Sequence, residues 1–219
     1  MSATFNFTDQ DRERIAKAVK TAESATSGEI VPVIVSSSGQ YPEAHFKAML
    51  AGMAVGLVLF EGYLLFFAGW SVGFWSGAVG IPLFVSLGGA LGMIASVTIP
   101  RVQRLFISNA RMDSEVHNRA LKAFVDHEVF VTRDRTGIVL LVSMFEKRVE
   151  VFGDSAINNA VESDDWSEVI ALVIRAIKAG KTVDGLVEGI LHCGKLLERL
   201  GLEIRPDDTN ELSNLPRIE

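Results

Sequence analysis

Three carboxylates stand out as groups that could do chemistry. Asp154 follows the end of an alternating apolar run, and Asp164 with Asp165 begins the next strongly periodic stretch. If the fold packs that stretch against the end of the run, the three converge on a hard cation, and calcium is the ion that such a set of oxygen donors suits. Their spacing is not that of an EF-hand loop. The same residues have a second use, because an Asp ahead of a helix caps it and acidic side chains in a first turn complement the helix dipole. Glu29 and Glu146 are further candidate ligands at strand ends, where solvated surface positions also account for them.

A fourth carboxylate raises a different question. Glu61 is the only charged side chain between residues 48 and 100. An ionisable group inside an apolar span is costly unless it is protonated, paired or hydrated, so Glu61 is a candidate polar contact within the span or to another span. The remaining reactive types are less promising. His127-Glu128 lacks the second histidine that a zinc helix requires, His117 stands alone, and both read as surface histidines. Cys193 follows His192, but neighbours on a helix point about 100° apart, so the pair does not make a nucleophile and its base. No glycine-rich phosphate loop and no Gly-x-Ser-x-Gly elbow occurs, and Ser36 to Ser38 read as a linker.

The elements that must position these groups follow from composition. Of 219 residues, 48% are hydrophobic and 22% charged, with a net charge of -6. A mean hydropathy of +0.28 is high for one globular domain. The excess lies in residues 48–100, long enough for two crossings at about 20 residues each with a turn between them. The spans are expected at about 48–68 and 77–100. Trp70 and Trp75 fall in the turn, and Lys47, Arg101, Arg104 and Arg111 flank the outer ends. By the positive-inside tendency, this integral membrane protein keeps both soluble pieces and both termini cytoplasmic, at a bacterial inner membrane. The lipid bilayer is then its first partner. The pairs Gly52/Gly56, Gly73/Gly77 and Gly88/Gly92 have small-xxx-small spacing, which serves packing within the hairpin, a homo-oligomer or a membrane-protein partner. The acidic balance and the lack of a basic arm exclude nucleic acid as a partner. The polar opening from Met1 to Asp11 does not read as a cleavable signal peptide, and a lone cysteine allows no internal disulfide.

Residues 1–47 read as a helix and a first strand. Phe7, Thr8, Asp9 and Asp11 form a staple, a cap and an acidic first turn. Ile15, Ala18, Val19 and Ala22 keep helical spacing, and Gly28 is placed at the helix end. The run Ile30 to Val35 is a strand in which Pro32 suggests an early or edge position. Residues 101–201 continue with a helix through Val116, Ala120 and Ala123, then an unbroken apolar strand over Gly137 to Ser143. An alternating strand over Arg148 to Val151 follows, with a short helix near Ala156 to Val161. Two helices close the series, one carrying Trp166, Val169, Val173 and Ile177 and the other Leu186, Ile190 and Leu197, ended by Gly180 and Gly201. Residues 202–219 show no periodicity and are expected to be a flexible tail. A strand that is apolar throughout needs cover on both faces, so the fold class is α/β: a small mixed sheet with helices on both faces, a three-layer sandwich interrupted by a transmembrane hairpin.

This order of motifs resembles the TPM domain family, named for a thylakoid lumen phosphatase, a photosystem repair protein and a receptor modulator, and in particular its membrane-hairpin branch. The resemblance rests on Phe7-Thr8-Asp9, Thr26-Ser27-Gly28-Glu29-Ile30-Val31, Thr136 to Ser143, Glu146-Lys147-Arg148-Val149-Glu150-Val151, Asp154 with Ile157, Trp166, and Asp184-Gly185-Leu186. It covers nearly all the soluble residues. It implies a three-layer α/β domain that in some members binds calcium, in some has acid phosphatase activity, and in others maintains membrane complexes. Where soluble members carry a glycine-rich stretch with an acidic pair, this chain has Phe152-Gly153-Asp154-Ser155-Ala156-Ile157. The expectation is therefore a non-enzymatic, membrane-anchored module that binds a partner and takes at most a structural cation such as calcium. The alternative is a metal-assisted, acid phosphatase-like hydrolase at the membrane, with Asp154, Asp164 and Asp165 holding the ion.

Overall fold

Two β-branched runs form the centre of the sheet. β1 (Glu29–Val35) and β2 (Gly137–Ser143) are buried along their whole length and pair in parallel, from Glu29 against Gly137 to Val35 against Ser143. β3 (Arg148–Gly153) returns antiparallel along the other side of β2. β4 (Arg217–Ile218) adds in parallel to β1, so the strand order is β3-β2-β1-β4 and the sheet is mixed. This computed structural model describes residues 7–68, 74–161, 165–199, 201–202 and 210–219.

Side-chain alternation divides the core into two. Ile30, Ile34, Ile138, Leu140 and Val142 face α1 (Asp9–Glu23), α6 (Ser155–Ala160), α7 (Asp165–Lys178) and α8 (Thr182–Arg199). Val31, Val33, Val35, Val139 and Leu141 face Val116, Ala120 and Ala123 of α5 (Asn109–Asp126). Each fully buried Ile or Leu contributes about 1.5–3 kcal/mol, so this double-sided central pair dominates the stability of the sheet. Helices pack closely where side chains vanish. A Cβ on Gly194 of α8 would lie 2.8 Å from Ala22 of α1. Thr8 caps α1, as the sequence predicts, and Asp11 completes a capping box with it.

The chain divides into two compact units, one of Ser2–Gly39 with Met112–Glu219 and the other of Gln40–Arg111. The second contains α2 (Pro42–Tyr63), a wider π turn (Leu64–Ala68), α3 (Phe74–Thr98) and α4 (Pro100–Leu105). Pro42–Phe66 and Gly77–Thr98 are long and apolar enough to cross a membrane. The first helix begins at Pro42, ahead of the expected boundary at 48, because Pro suits a helix start and the polar first turns precede the apolar stretch.

Three local expectations change. Pro32 lies in β1, an inner strand by order, yet β4 reaches only Val33 and Ile34, so the outer side of β1 at Pro32 has no ladder partner among the described residues. Gly28 does not close α1, which ends at Ser24 in a right-handed conformation; a Cβ on Gly28 would lie 2.7 Å from the tip of the Leu197 side chain of α8. Gly180 and Gly201 do adopt the positive φ of helix ends. The segment read as a flexible tail carries β4. A two-residue strand held by polar groups leaves no hydrophobic period to read.

Candidate functional site

Polar groups gather at both ends of the parallel pair. Where β1 and β2 begin, the Thr136 hydroxyl donates to the Ser27 carbonyl at 2.7 Å, and the Thr26 hydroxyl donates to the Leu202 carbonyl at 2.7 Å. The threonines that open two of the sequence motifs thus tie loops together. Glu29, at the first position of β1, is buried, and its carboxylate accepts the backbone N–H of Glu211 at 3.0 Å and of Leu212 at 3.4 Å. The solvated position expected for Glu29 is therefore corrected, for backbone amides of a distant segment replace water around it. Near it, Glu23 accepts the Ile30 N–H at 2.9 Å and the Asn214 amide at 2.9 Å. Burial, reinforced by the Glu29 charge, pushes the Glu23 carboxyl up to about 8. Sequence reading missed Glu23, which looks like an ordinary last-turn helix residue.

Asp154 sits at the same end, where its N–H donates to the Gly137 carbonyl. Its side chain is buried and already engaged. Oδ1 accepts the Ser155 N–H at 2.5 Å, which caps α6, and Oδ2 forms an ion pair with Arg135 Nε at 3.1 Å. Asp165 opens α7, in the acidic first turn that the dipole favours. Asp164 lies outside the described residues. Among the described residues, no three His, Cys, Asp or Glu side chains come together as a metal-binding group.

At the opposite end, Glu146 is only 1% exposed, which corrects the solvated reading. Its carboxylate accepts the Ser37 hydroxyl at 3.1 Å, the Ser38 N–H at 3.0 Å and the Ser143 hydroxyl, and the Ser38 hydroxyl donates to Ser143 Oγ at 2.8 Å. What reads as a serine linker is the donor set for a buried carboxylate. Charge-assisted bonds of this kind compensate for the loss of water around Glu146 and lock the β2–β3 turn onto the end of β1.

The other reactive types have structural partners. His117 pairs with Glu150 at 2.9 Å, and His192 with Glu168 at 3.5 Å. His127 Nε2 donates to Glu219 Oε1 at 3.0 Å; burial and the Arg217 and Arg119 guanidinia hold its pKa below the ordinary value. Cys193 is wholly buried, and burial pushes its thiol up to about 12, which makes it unreactive.

The apolar unit has a different character. Gly52 and Gly56 of α2 meet Gly88, Gly92 and the backbone at Phe84 in α3, so closely that a Cβ on any of these glycines would overlap a carbonyl oxygen. Two of the three predicted glycine pairs are thus used within the helix pair; Gly73 lies outside the described residues. His45 Nδ1 lies 2.9 Å from the hydroxyl of the fully buried Ser96, a cross-helix polar bond that sequence reading did not anticipate. Glu61 is exposed in the last turn of α2, ahead of the π turn, and has no bonded partner among the described residues.

No family model matches the chain, and no curated protein matches it. The solved NMR structure of the BA42 protein from the psychrophilic bacterium Bizionia argentinensis is similar to it, with a TM-score of 0.59, 20% identity and 100% of both chains covered. At that identity the likeness is one of fold.

Proposed function

We propose that this chain is a membrane-anchored, TPM-like module in which α2 and α3 cross the lipid bilayer and the α/β unit binds a protein partner without catalysing a reaction. One observation carries the anchoring: the helix pair is inside out. Glycines line its interior, while Leu50, Val58, Leu65, Leu83, Leu87 and Ile94 point outward, and only 11% and 6% of the two most apolar windows are buried. In water such a surface aggregates, whereas in lipid close backbone packing inside and aliphatic side chains outside is the favourable arrangement. Lys47, Arg101, Arg104 and Arg111 all belong to the ends of this unit remote from the turn, which supports cytoplasmic placement of both termini at a bacterial inner membrane. Glu61, outward and unpartnered among the described residues, suits a contact to a membrane-protein partner or a second copy.

The non-enzymatic part of the reading is supported by the duties of the carboxylates. Asp154 is bonded to Arg135 and a helix cap, Glu146 to three donors, and Glu29 to two amides. Such groups position a fold rather than hold calcium or activate water.

Single-cysteine labelling tests the anchoring. In a Cys193→Ala background, Ser76→Cys should react with an impermeant maleimide added to intact bacterial spheroplasts, and Ser108→Cys only after lysis. Labelling of both positions from outside, or recovery of the protein in the soluble fraction, would sink the proposed topology.

A further inference from the structure

The outer edge of β1 is occupied in an unusual way. In the parallel pair, the odd residues of β1 bond toward β2, as when the Glu29 N–H donates to the Thr136 carbonyl and the Met144 N–H donates to that of Val35. The even residues therefore bond outward. The Ile30 N–H goes to Glu23, Pro32 has no N–H, and the Ile34 carbonyl accepts the Glu219 N–H at 2.9 Å. The Ser36 N–H donates to the Glu219 carbonyl at 3.0 Å.

Residues 210–219 cover this edge with very little strand. The ladder has only two pairs, Val33 with Arg217 and Ile34 with Ile218. The remaining hold is largely polar, beside the buried Pro216. Glu29 takes two backbone amides, Glu23 takes Asn214, and the Arg133 N–H donates to Glu211 at 3.0 Å. Leu212 and Ile218 are partly buried against the two cores, while Leu215 points to solvent. The Glu219 carboxylate is gripped by Arg119 and His127.

We propose that residues 210–219 are a displaceable self-ligand, and that the β1 edge accepts in their place an extended partner segment with an aliphatic residue followed by an acidic one. Edge strands template pairing with another chain unless they are covered, and strand addition draws its affinity from main-chain bonds. Here the amides of Glu211 and Leu212 and the ladder to β1 are such main-chain bonds, indifferent to side chain. Sequence preference comes from the seat of Ile218 on the core and from the cationic clasp of Arg119 with its neutral partner His127, which suits a carboxylate. A short ladder with polar anchors opens locally at small cost, as regions with few apolar contacts do. The inference deepens the partner-binding reading of the α/β unit and rests on it, independently of bilayer insertion.

A fluorescent decapeptide with the sequence of residues 210–219 tests the edge, titrated against the full chain and against a chain ending at Leu202, both in detergent. An occupied site lowers apparent affinity by the fraction open, so the shortened chain should bind at least about tenfold more tightly. Peptides carrying Ile218→Asp or Glu219→Lys should lose at least about tenfold. Equal binding by the two chains, or none by a shortened chain with a native circular dichroism spectrum, would overturn the proposal. Hydrogen exchange on the full chain decides the matter even if the shortened chain unfolds. The Ser36 and Glu219 amides should exchange at least about tenfold faster than those of β2, and exchange at the rate of β2 would mean that the segment never leaves by itself. Failure here with the labelling topology intact would remove the edge site and leave the anchoring standing.

Discussion

Gly52 in α2 and Gly88 in α3 face each other so closely that a Cβ added to either would overlap the carbonyl oxygen of the other. Backbone cannot give way as a flexible side chain can. Gly52→Ala and Gly88→Ala should therefore each weaken the helix pair by about 1–3 kcal/mol, the usual cost of overpacking. Gly89→Ala should cost less, since the neighbour there is the flexible Met53 side chain. Gly62 has nothing within 4 Å, and Gly62→Ala should be neutral or stabilising through helix propensity. Thermal unfolding in one detergent ranks the four variants, and equal midpoints for Gly52→Ala and Gly62→Ala would contradict the packing.

The Asp154 carboxylate divides its oxygens between a cap and a cation. Asp154→Ala removes both and should cost about 1–3 kcal/mol in denaturant unfolding. Asp154→Asn keeps the cap and should cost about 1 kcal/mol or less, because the half-exposed Arg135 is screened by solvent. With Arg135 already neutralising the carboxylate, calcium should raise the thermal midpoint of the full chain no more than magnesium does. A calcium-specific rise that vanishes in Asp154→Asn would restore the acidic cation site.

Glu146 and its serines form a single unit. Glu146→Ala deprives the Ser143 hydroxyl and the Ser38 N–H of their acceptor, while the Ser37 hydroxyl keeps the Gly39 carbonyl at 2.9 Å; it should cost about 2–4 kcal/mol, whereas Ser143→Ala should cost about 1–2 kcal/mol. The double variant should then lose less than the sum, as coupled partners do. Strict additivity in urea unfolding would show that the Ser143 bond to Glu146 is unimportant.

Features set by neighbours in sequence were legible, and those set by distant partners were not. The apolar run over Gly137 to Ser143 announces a strand covered on both faces, and Thr8 with Asp11 announces a helix start; each depends on residues a few positions apart. Asp154 was readable as a cap for the same reason. Glu146 and Glu29 looked solvated because a strand-end carboxylate usually is, and their burial depends on Ser37, Ser38 and residues 211–212, far away in the chain. His45 and Ser96 meet only once the helices pair. Pro32 misled because the edge rule concerns hydrogen-bond partners rather than strand order, and β4 stops short of it.

Glu23 makes the stability of the α/β unit depend on pH with an unusual sign. Its carboxyl is raised from 4.5 to about 8 in the folded chain, by burial first and then by the Glu29 charge. Between those values the folded chain binds a proton that the unfolded chain has released, so stability is fully present below pH 4.5 and is lost as pH rises toward 8. The slope amounts to at most about 1.4 kcal/mol per pH unit. His127 acts in the opposite sense. Its depressed pKa means that the unfolded chain takes up the proton first, and stability falls as pH drops below 6.5. Between pH 7 and 8 the His127 contribution no longer changes, and the slope is that of Glu23. Wild-type unfolding free energy should therefore decline from pH 7 to 8, with a further decline above about pH 9 where the raised Cys193 thiol adds its own loss, while Glu23→Gln, which keeps an acceptor for the Ile30 N–H, should be flat between pH 7 and 8. Equal slopes for the two chains would show that Glu23 is ionised in the folded state at neutral pH.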